Sequence, residues 1–405
     1  MSTRSVLLIA FEMPPARSSG VQRPYRFAQY LLELGWDPYI ITASPDVYQH
    51  YDYDFDVPDD LKSRIYRAPA VDIHKSLSIK GKTPDFLSLP DRYWPWYFSA
   101  TRLGAKLIRE KGIELLWSTY PILTSHLVGR KLSLKFDLPW FADFRDPLQC
   151  HYDINYDHYN FILRHLEKKV VTQASRVITT CEQATGLYRN IYKELPPEKF
   201  TVIQNGFVPT EFQKSEPQNK FTLLYSGVLY SVGRDTKPLF EALSNLKKSN
   251  RINSENFILR FRGAPGAKEQ LQSLLEKLNI VDVVEFTPAI SFSDAQSEMV
   301  NASANLLIQD EIFNFQVPGK LYDYIQANRP IVAICPPDSA TASVCRTIPS
   351  CEQVWQLEEI EQILCNLVST ESYVQMSENQ INQFSRRQRT IELIQLCQKF
   401  LKQQA

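Results

Sequence analysis

The sequence predicts two doubly wound α/β domains in series. Short, near-continuous apolar runs alternate with longer amphipathic stretches, as buried parallel strands covered by helices on both faces require. The alternation gives way to a turn and a polar stretch near residue 210 and then restarts. A chain of 405 residues is also long for one core, since domains typically hold about 100–200 residues.

Ser5–Phe11 reads as the first strand. Its apolar run is too short for a secretory signal, only Arg4 precedes it, and Glu12 and Pro14-Pro15 interrupt it without a small-residue cleavage site. Val21–Leu34 follows as a helix with Phe27, Tyr30, Leu31 and Leu34 on one face, and Tyr39–Thr42 is the next strand. The segment to about Tyr93 is rich in Asp, Tyr and Pro and has no clear periodicity. Helix Trp96–Lys111, strand Glu114–Ser118, helix Leu123–Leu134 and strand Trp140–Phe144 come next. Helix Asn160–Gln173, strand Arg176–Thr180, helix Glu182–Tyr192 and strand Lys199–Ile203 complete the first domain, residues 1–207. Asn205-Gly206 reads as a turn and Thr210–Asn219 as a linker.

The second domain, residues 208–385, opens with strand Phe221–Tyr225 and helix Lys237–Lys247. Strand Asn256–Arg262, helix Ala267–Leu278, strand Val283–Phe286 and helix Asp294–Asn301 follow. Strand Ala304–Ile308, helix Lys320–Ala327 and strand Pro330–Ile334 come after them, and from about Glu358 the sequence reads as wholly helical. In such sheets ligands bind outside the carboxyl ends of the strands, so the strand-to-helix loops hold the candidate residues.

Bulk composition narrows the classes. Forty-five basic residues balance forty-five acidic ones, so no global field recruits nucleic acid or an anionic membrane; the sum leaves the distribution of charge open. No apolar run approaches the ~18 residues of a membrane span. The seven cysteines are scattered without CxxC spacing and the six histidines form no HxxxH pair, so neither a disulfide framework nor a metal site is expected. Cys345 and Cys351 are close enough in sequence to meet, with reduced thiols the expected state. The expected location is the cytoplasm.

Four loops carry the chemistry. Phe11–Pro24, containing Ser19 and Gly20, is too long for a plain turn and ends at a helix N-terminus, where free amides and the helix dipole attract anions; it lacks GxGxxG. Ala142-Asp143-Phe144-Arg145-Asp146-Pro147 sets three charges at a strand end, and these serve either an internal ion network or a substrate. Tyr225–Lys237 carries Gly227, Arg234 and Lys237 beside a helix start, either as a diphosphate clamp or as surface cations. Pro318-Gly319-Lys320-Leu321 opens a helix with free amides and an ammonium, and Asp323 lies three residues beyond Lys320 on roughly the same face, placed to accept hydrogen bonds from a ribose diol.

On these residues, with Ser118-Thr119-Tyr120-Pro121, His126 and Asn205-Gly206, the chain resembles the GT-B glycosyltransferases, in particular the retaining family-4 group. The resemblance spans nearly the whole chain. It implies two Rossmann-like domains facing across a cleft, an acceptor-side first domain, a donor-binding second domain, and a helix at 386–405 crossing back to the first. It implies that Arg234 and Lys320 hold the diphosphate of a nucleotide sugar, with Gly227, Lys237, Pro318, Gly319 and Leu321 around it. Asp323 would hold the ribose, and backbone near Thr287 the base. Ser19, Gly20, Thr119, Asp143 and Arg145 would face the acceptor, and Arg234, Lys320, Asp146 and His126 are the catalytic candidates. No cofactor or metal is implied. The acceptor would be a glycan, a lipid-linked group or a small molecule, with peripheral membrane contact an added possibility and no sign of an oligomer.

The sequence departs from the family pattern at three places. Phe315 stands where the first of two motif glutamates is usual and Asp323 where the second is, which leaves Asp310 or Glu311 as substitutes. Thr119 occupies the usual histidine position, and Val228 that of an arginine. A catalytically degenerate binding or assembly protein, and a nucleotide-sugar epimerase on the same fold, are therefore the alternative readings.

Overall fold

The computed structural model describes residues 4–18, 20–52, 55–76, 84–148, 157–210, 212, 220–230, 232–264, 266–370 and 373–404. Ser19, Cys150 and most of the expected linker lie outside them. The chain divides into two compact units, residues 1–204 with 389–405, and residues 205–388.

The first unit holds strands β1 (Ser5–Ile9), β2 (Asp37–Ala43), β3 (Ile65–Ala68), β4 (Leu115–Thr119), β5 (Trp140–Arg145), β6 (Arg176–Thr179) and β7 (Phe200–Val202). They form one sheet in the order β3-β2-β1-β4-β5-β6-β7, and every neighbouring pair is parallel. Its helices are α1 (Gln22–Glu33), α2 (Asp59–Lys62), α3 (Ile73–Ser76), α4 (Trp96–Lys111), α5 (Leu123–Phe136), α6 (Asp157–Gln173) and α7 (Glu182–Ile191). All five residues of β1 and of β4 are buried, which is why these strands read as unbroken apolar runs.

The second unit holds β8 (Phe221–Ser226), β9 (Phe257–Arg262), β10 (Val284–Thr287), β11 (Ala304–Ile308), β12 (Ile331–Ile334) and β13 (Cys351–Val354). Its sheet order is β10-β9-β8-β11-β12-β13, again parallel throughout. Its helices are α8 (Lys237–Lys248), α9 (Ala267–Lys277), α10 (Phe292–Asn301), α11 (Gly319–Ala327), α12 (Ala340–Cys345), α13 (Leu357–Ser369) and α14 (Glu378–Asn382). A last helix, α15 (Arg386–Gln404), starts in this unit and continues into the first.

The fold class is the expected one, two doubly wound α/β layers, with three local corrections. β3 lies in the segment read as aperiodic: four residues paired on one side only leave Ile65, Tyr66 and Arg67 half exposed, so no apolar run marks them. The sequence also gave no warning of α12 and β13. The C-terminal stretch is not wholly helical. Asn328 at the end of α11 exchanges two side-chain hydrogen bonds with the Met376 backbone, both 3.0 Å, and this holds the chain extended before Ser377 caps α14. Among the described residues no helix is long and apolar enough to cross a membrane.

Candidate functional site

In a doubly wound sheet, the loops after the two strands that flank the reversal of strand order splay apart and leave room for a ligand. In the second unit those strands are β8 and β11, and the expected donor residues converge there. β8 is followed by Gly227, whose φ of 111° is a conformation that favours glycine. A β-carbon on Gly227 would lie 3.4 Å from the Lys320 ammonium nitrogen. Lys320 occupies the first turn of α11, with its Nζ 3.8 Å from the centroid of the Tyr225 ring. That ring is fixed from below, since Tyr225 donates to the Val228 carbonyl and Tyr324 accepts from the Ser226 amide at 3.0 Å.

Arg234 reaches the same place from the β8–α8 loop. Its guanidinium stacks on Phe313, 4.5 Å from the ring centroid, and donates to the Gly233 carbonyl. Gly233 has a φ of 74° and leaves the space that Phe313 fills, since a β-carbon there would come within 2.2 Å of the ring. The β11–α11 loop is held by Gln309, whose side-chain amide donates to the Phe313 and Gln316 carbonyls and whose oxygen accepts from Thr341. Arg234 then lines a cleft of about 310 Å³ with Leu229, Tyr230, Gln270 and Asp310.

Asp323 lies one turn into α11. Burial, only partly offset by Arg386 and Lys320, raises its carboxyl to about 7. Burial and the neighbouring Arg234 lower the Lys320 ammonium to about 7, against a smaller opposing pull from Asp323. Burial thus shifts Lys320 and Asp323 toward their neutral forms beside Arg234, and strongly perturbed groups of this kind gather at functional sites. Arg386, on α15, is a residue the sequence reading missed. It is placed by the Asn205-Gly206 turn: Phe207 pairs with Ser385, and a β-carbon on Gly206 would overlap the Phe384 carbonyl oxygen at 2.5 Å.

One donor candidate, Leu321, is corrected. Lys237 faces solvent and pairs with Glu241 at 3.9 Å along α8. The Leu321 side chain is wholly buried and its amide donates to Pro318, so it packs the helix rather than meeting a ligand. Asp310, one proposed substitute for the missing glutamate, spends a carboxylate oxygen capping the Glu311 amide, and Glu311 itself is exposed. Pro318 caps α11, and a β-carbon on Gly319 would meet nothing, so this helix start is open. Thr287 ends β10, with its hydroxyl on the Phe261 carbonyl and its own carbonyl accepting from Gly263.

In the first unit the loops after β1 and β4 flank the corresponding reversal. Gly20 is buried against Glu12, whose carboxylate accepts from Ser18 and occupies the place a β-carbon would take. Asp143 is corrected from an acceptor-facing role. It is fully buried and forms a two-pronged ion pair with Arg23 at 2.8 and 2.9 Å, and Thr119 donates to it at 3.0 Å. Arg23 also donates to the Ile203 and Gln204 carbonyls, so a closed network ties α1, β4, β5 and the end of β7. Arg145 has a φ of 63° and donates to the Tyr120 and Gly20 carbonyls, bracing two loops. Asp146 remains partly exposed at the end of β5, within hydrogen-bond reach of Thr180.

His126 is also corrected. It is wholly buried, bonded through Nδ1 to Ser118 at 2.7 Å and packed 4.6 Å from the Phe144 ring. Burial lowers its pKa to about 3, so it stays neutral in the core. His126→Gln is expected to cost about 1–3 kcal/mol of unfolding free energy and to leave the pH profile of any activity superimposable between pH 5 and 9. A displaced profile would return it to the site. Among the described residues no group of three His, Cys, Asp or Glu side chains is arranged to hold a metal ion.

With this geometry in place, comparison with known proteins gives a class. The fold is that of solved glycosyltransferase structures with two parallel sheets. Sucrose-phosphate synthase from Thermosynechococcus elongatus superposes with a TM-score of 0.66 at 15% identity, covering 98% of this chain and 99% of that one. A glycosyltransferase from Rickettsia africae gives 0.65 at 13% identity, covering 99% and 100%. HepE from Anabaena, solved with UDP, gives 0.60 at 12% identity, covering 98% and 100%. Residues 20–206 match the family described as a glycosyl transferase 4-like domain, so the first unit is similar to that family. No curated protein matches the chain in sequence.

Proposed function

We propose that this chain transfers a sugar from a nucleotide diphosphate sugar to an acceptor hydroxyl, with retention of configuration, in the cytoplasmic assembly of a surface polysaccharide or other glycoconjugate. The observation that carries the reading is the convergence of Lys320, Arg234 and Asp323 at the β8/β11 reversal. In this reading the two cations and the open start of α11 hold the diphosphate, and Asp323 accepts from the ribose. As the bond to the sugar breaks, charge grows on the leaving phosphate. Cations fixed before that moment stabilise it more than they stabilise the bound donor, which lowers the barrier. Because Arg234 and Lys320 supply that charge, the reading needs no metal, and chelation should leave turnover unchanged. Phe315 in the place of a sugar-binding carboxylate favours one rival, a protein that binds the donor without turning it over.

Calorimetric titration with UDP, GDP and ADP tests the donor site. One nucleotide should bind, and Arg234→Ala and Asp323→Ala should each weaken it; no binding to any of the three would remove the reading. Binding should also take up protons. Above pH 7 free Lys320 is increasingly neutral, and an incoming diphosphate restores its ammonium. Affinity should therefore fall between pH 7 and 9, by up to about tenfold per unit, and the heat should vary with the ionisation enthalpy of the buffer.

A further inference from the structure

The chain is neutral overall, with 45 basic and 45 acidic residues, yet one face of the first unit is strongly cationic. Helices α4 and α5 pack side by side. Arg102, Lys106 and Arg109 project from α4, Lys131 and Lys135 from α5, and Arg130 is half exposed between them. The only acid within the two helices is Glu110, which pairs with Lys106 at 3.9 Å; Asp137 follows the last turn of α5. The stripes form one surface, because Arg109 and Lys135 both lie over the Phe136 ring, at 5.5 and 5.7 Å.

The same face exposes apolar rings. Phe98 is 65% exposed and gathers with Trp94 and Tyr97 at ring separations of 6.3 and 5.4 Å; Phe86, 61% exposed, precedes Leu87, whose carbonyl accepts from the Trp94 indole at 2.9 Å. Beside them a hollow of about 240 Å³ opens between the two helices, walled by Trp94, Tyr97, Leu127 and Arg130. The Arg130 Nε is enclosed there without a hydrogen-bond partner. The half-exposed Arg130 side chain lines the hollow, so a lipid phosphate entering it would meet a guanidinium and form a charge-assisted hydrogen bond.

We propose that the α4–α5 face docks on an anionic lipid bilayer, with Phe86 and Phe98 entering the headgroup boundary and a lipid phosphate seated at Arg130. Cations draw the protein to an anionic leaflet, and amphipathic faces with aromatic tips bury a few ångströms into it. A soluble polyanion would engage the same cations but gives the exposed rings no apolar phase. Helices in a parallel α/β layer run opposite to the strands, so the aromatic end of this face lies at the carboxyl end of the sheet. Phe11, beside the β1–α1 loop, stacks on Tyr93 at 4.4 Å and joins that loop to the aromatic end. The bilayer contact stands apart from the donor reading; delivery of a membrane-borne acceptor to these loops rests on it.

The test is co-sedimentation of the full chain with phosphatidylcholine vesicles with and without phosphatidylglycerol, with nucleotide titration as the control for folding. The wild type should bind only the anionic vesicles, and added salt should release it. Arg102→Glu with Lys131→Glu should lower partitioning roughly 25-fold or more, at about fivefold per cation removed, and Phe98→Ser and Arg130→Gln severalfold each. Nucleotide affinity should not move in any variant. No binding to anionic vesicles, or equal binding by the charge-reversed protein, would overturn the proposal. Loss with charge reversal but none with Phe98→Ser, together with full competition by soluble polyphosphate, would overturn it in favour of a polyanion. Vesicle binding without nucleotide binding would leave this proposal standing and remove the donor site.

Discussion

Replacing Lys320 by alanine is expected to lower turnover about 10²–10³-fold, the usual loss when one preorganised charge-stabilising donor is removed from a transition state. The loss should fall mainly on kcat, because charge on the leaving phosphate is largest in the transition state. Lys320→Met, which keeps the bulk and removes the charge, should stabilise the free protein. The Lys320 ammonium titrates near 7 in the folded chain against 10.5 in its reference state. Between those values the unfolded chain binds more protons, so stability rises with pH across the window, and at neutral pH the buried cation is a burden. Asp323 carries the opposite slope, titrating near 7 instead of 3.8, so stability falls as pH rises through that interval. Lys320→Met should thus raise the unfolding midpoint, by about 0.5–2 kcal/mol equivalent, while activity collapses. Kinetics and thermal unfolding on one preparation check both signs. A variant that loses stability and activity together would mark Lys320 as a structural residue.

Arg23→Met should be the most destabilising single change in the first unit. It strands the Asp143 carboxylate, which has no exposure to solvent, and removes the donor from the Ile203 and Gln204 carbonyls. Breaking a buried pair from one side costs about 3–5 kcal/mol, and a domain of this size loses about 2–4 °C per kcal/mol. The melting transition should fall by roughly 6–20 °C. Arg23→Met with Asp143→Leu should recover much of that, because no charge is then left buried alone. A drop of less than about 2 °C in the single variant, on the same scale, would mean that water reaches the pair and that the network is not closed.

These two arginine and lysine sites differ in how far the sequence announced them. Pro318-Gly319-Lys320 and Asp323 were legible because helix geometry alone puts an ammonium and a carboxylate one turn apart at a free N-terminus. Arg23 was not. It is a cation in the first turn of a helix, ordinary by itself, and its partners are 120 and about 180 residues away in the chain. The three charges of Asp143, Arg145 and Asp146 left two readings open. The structure assigns Asp143 and Arg145 to internal bracing, since one is closed off by Arg23 and Thr119 and the other is spent on two carbonyls. His126 had the right residue type near the right loop, but the helix turns it inward onto Ser118.

The sequence by itself determined the two parallel layers and the loops that matter. Strand burial and helix amphipathicity repeat over a few residues, so each element carries its own signal. Tertiary structure decided which charges meet. It brought Arg386 toward Asp323 through the Gly206 turn, joined six cations of two separate helices into one face of a neutral chain, and split the C-terminal stretch through Asn328. Each of these depends on side chains far apart in sequence finding a low-polarity site together, where an unpaired charge is expensive and a paired one is held. No local period of the chain records that pairing.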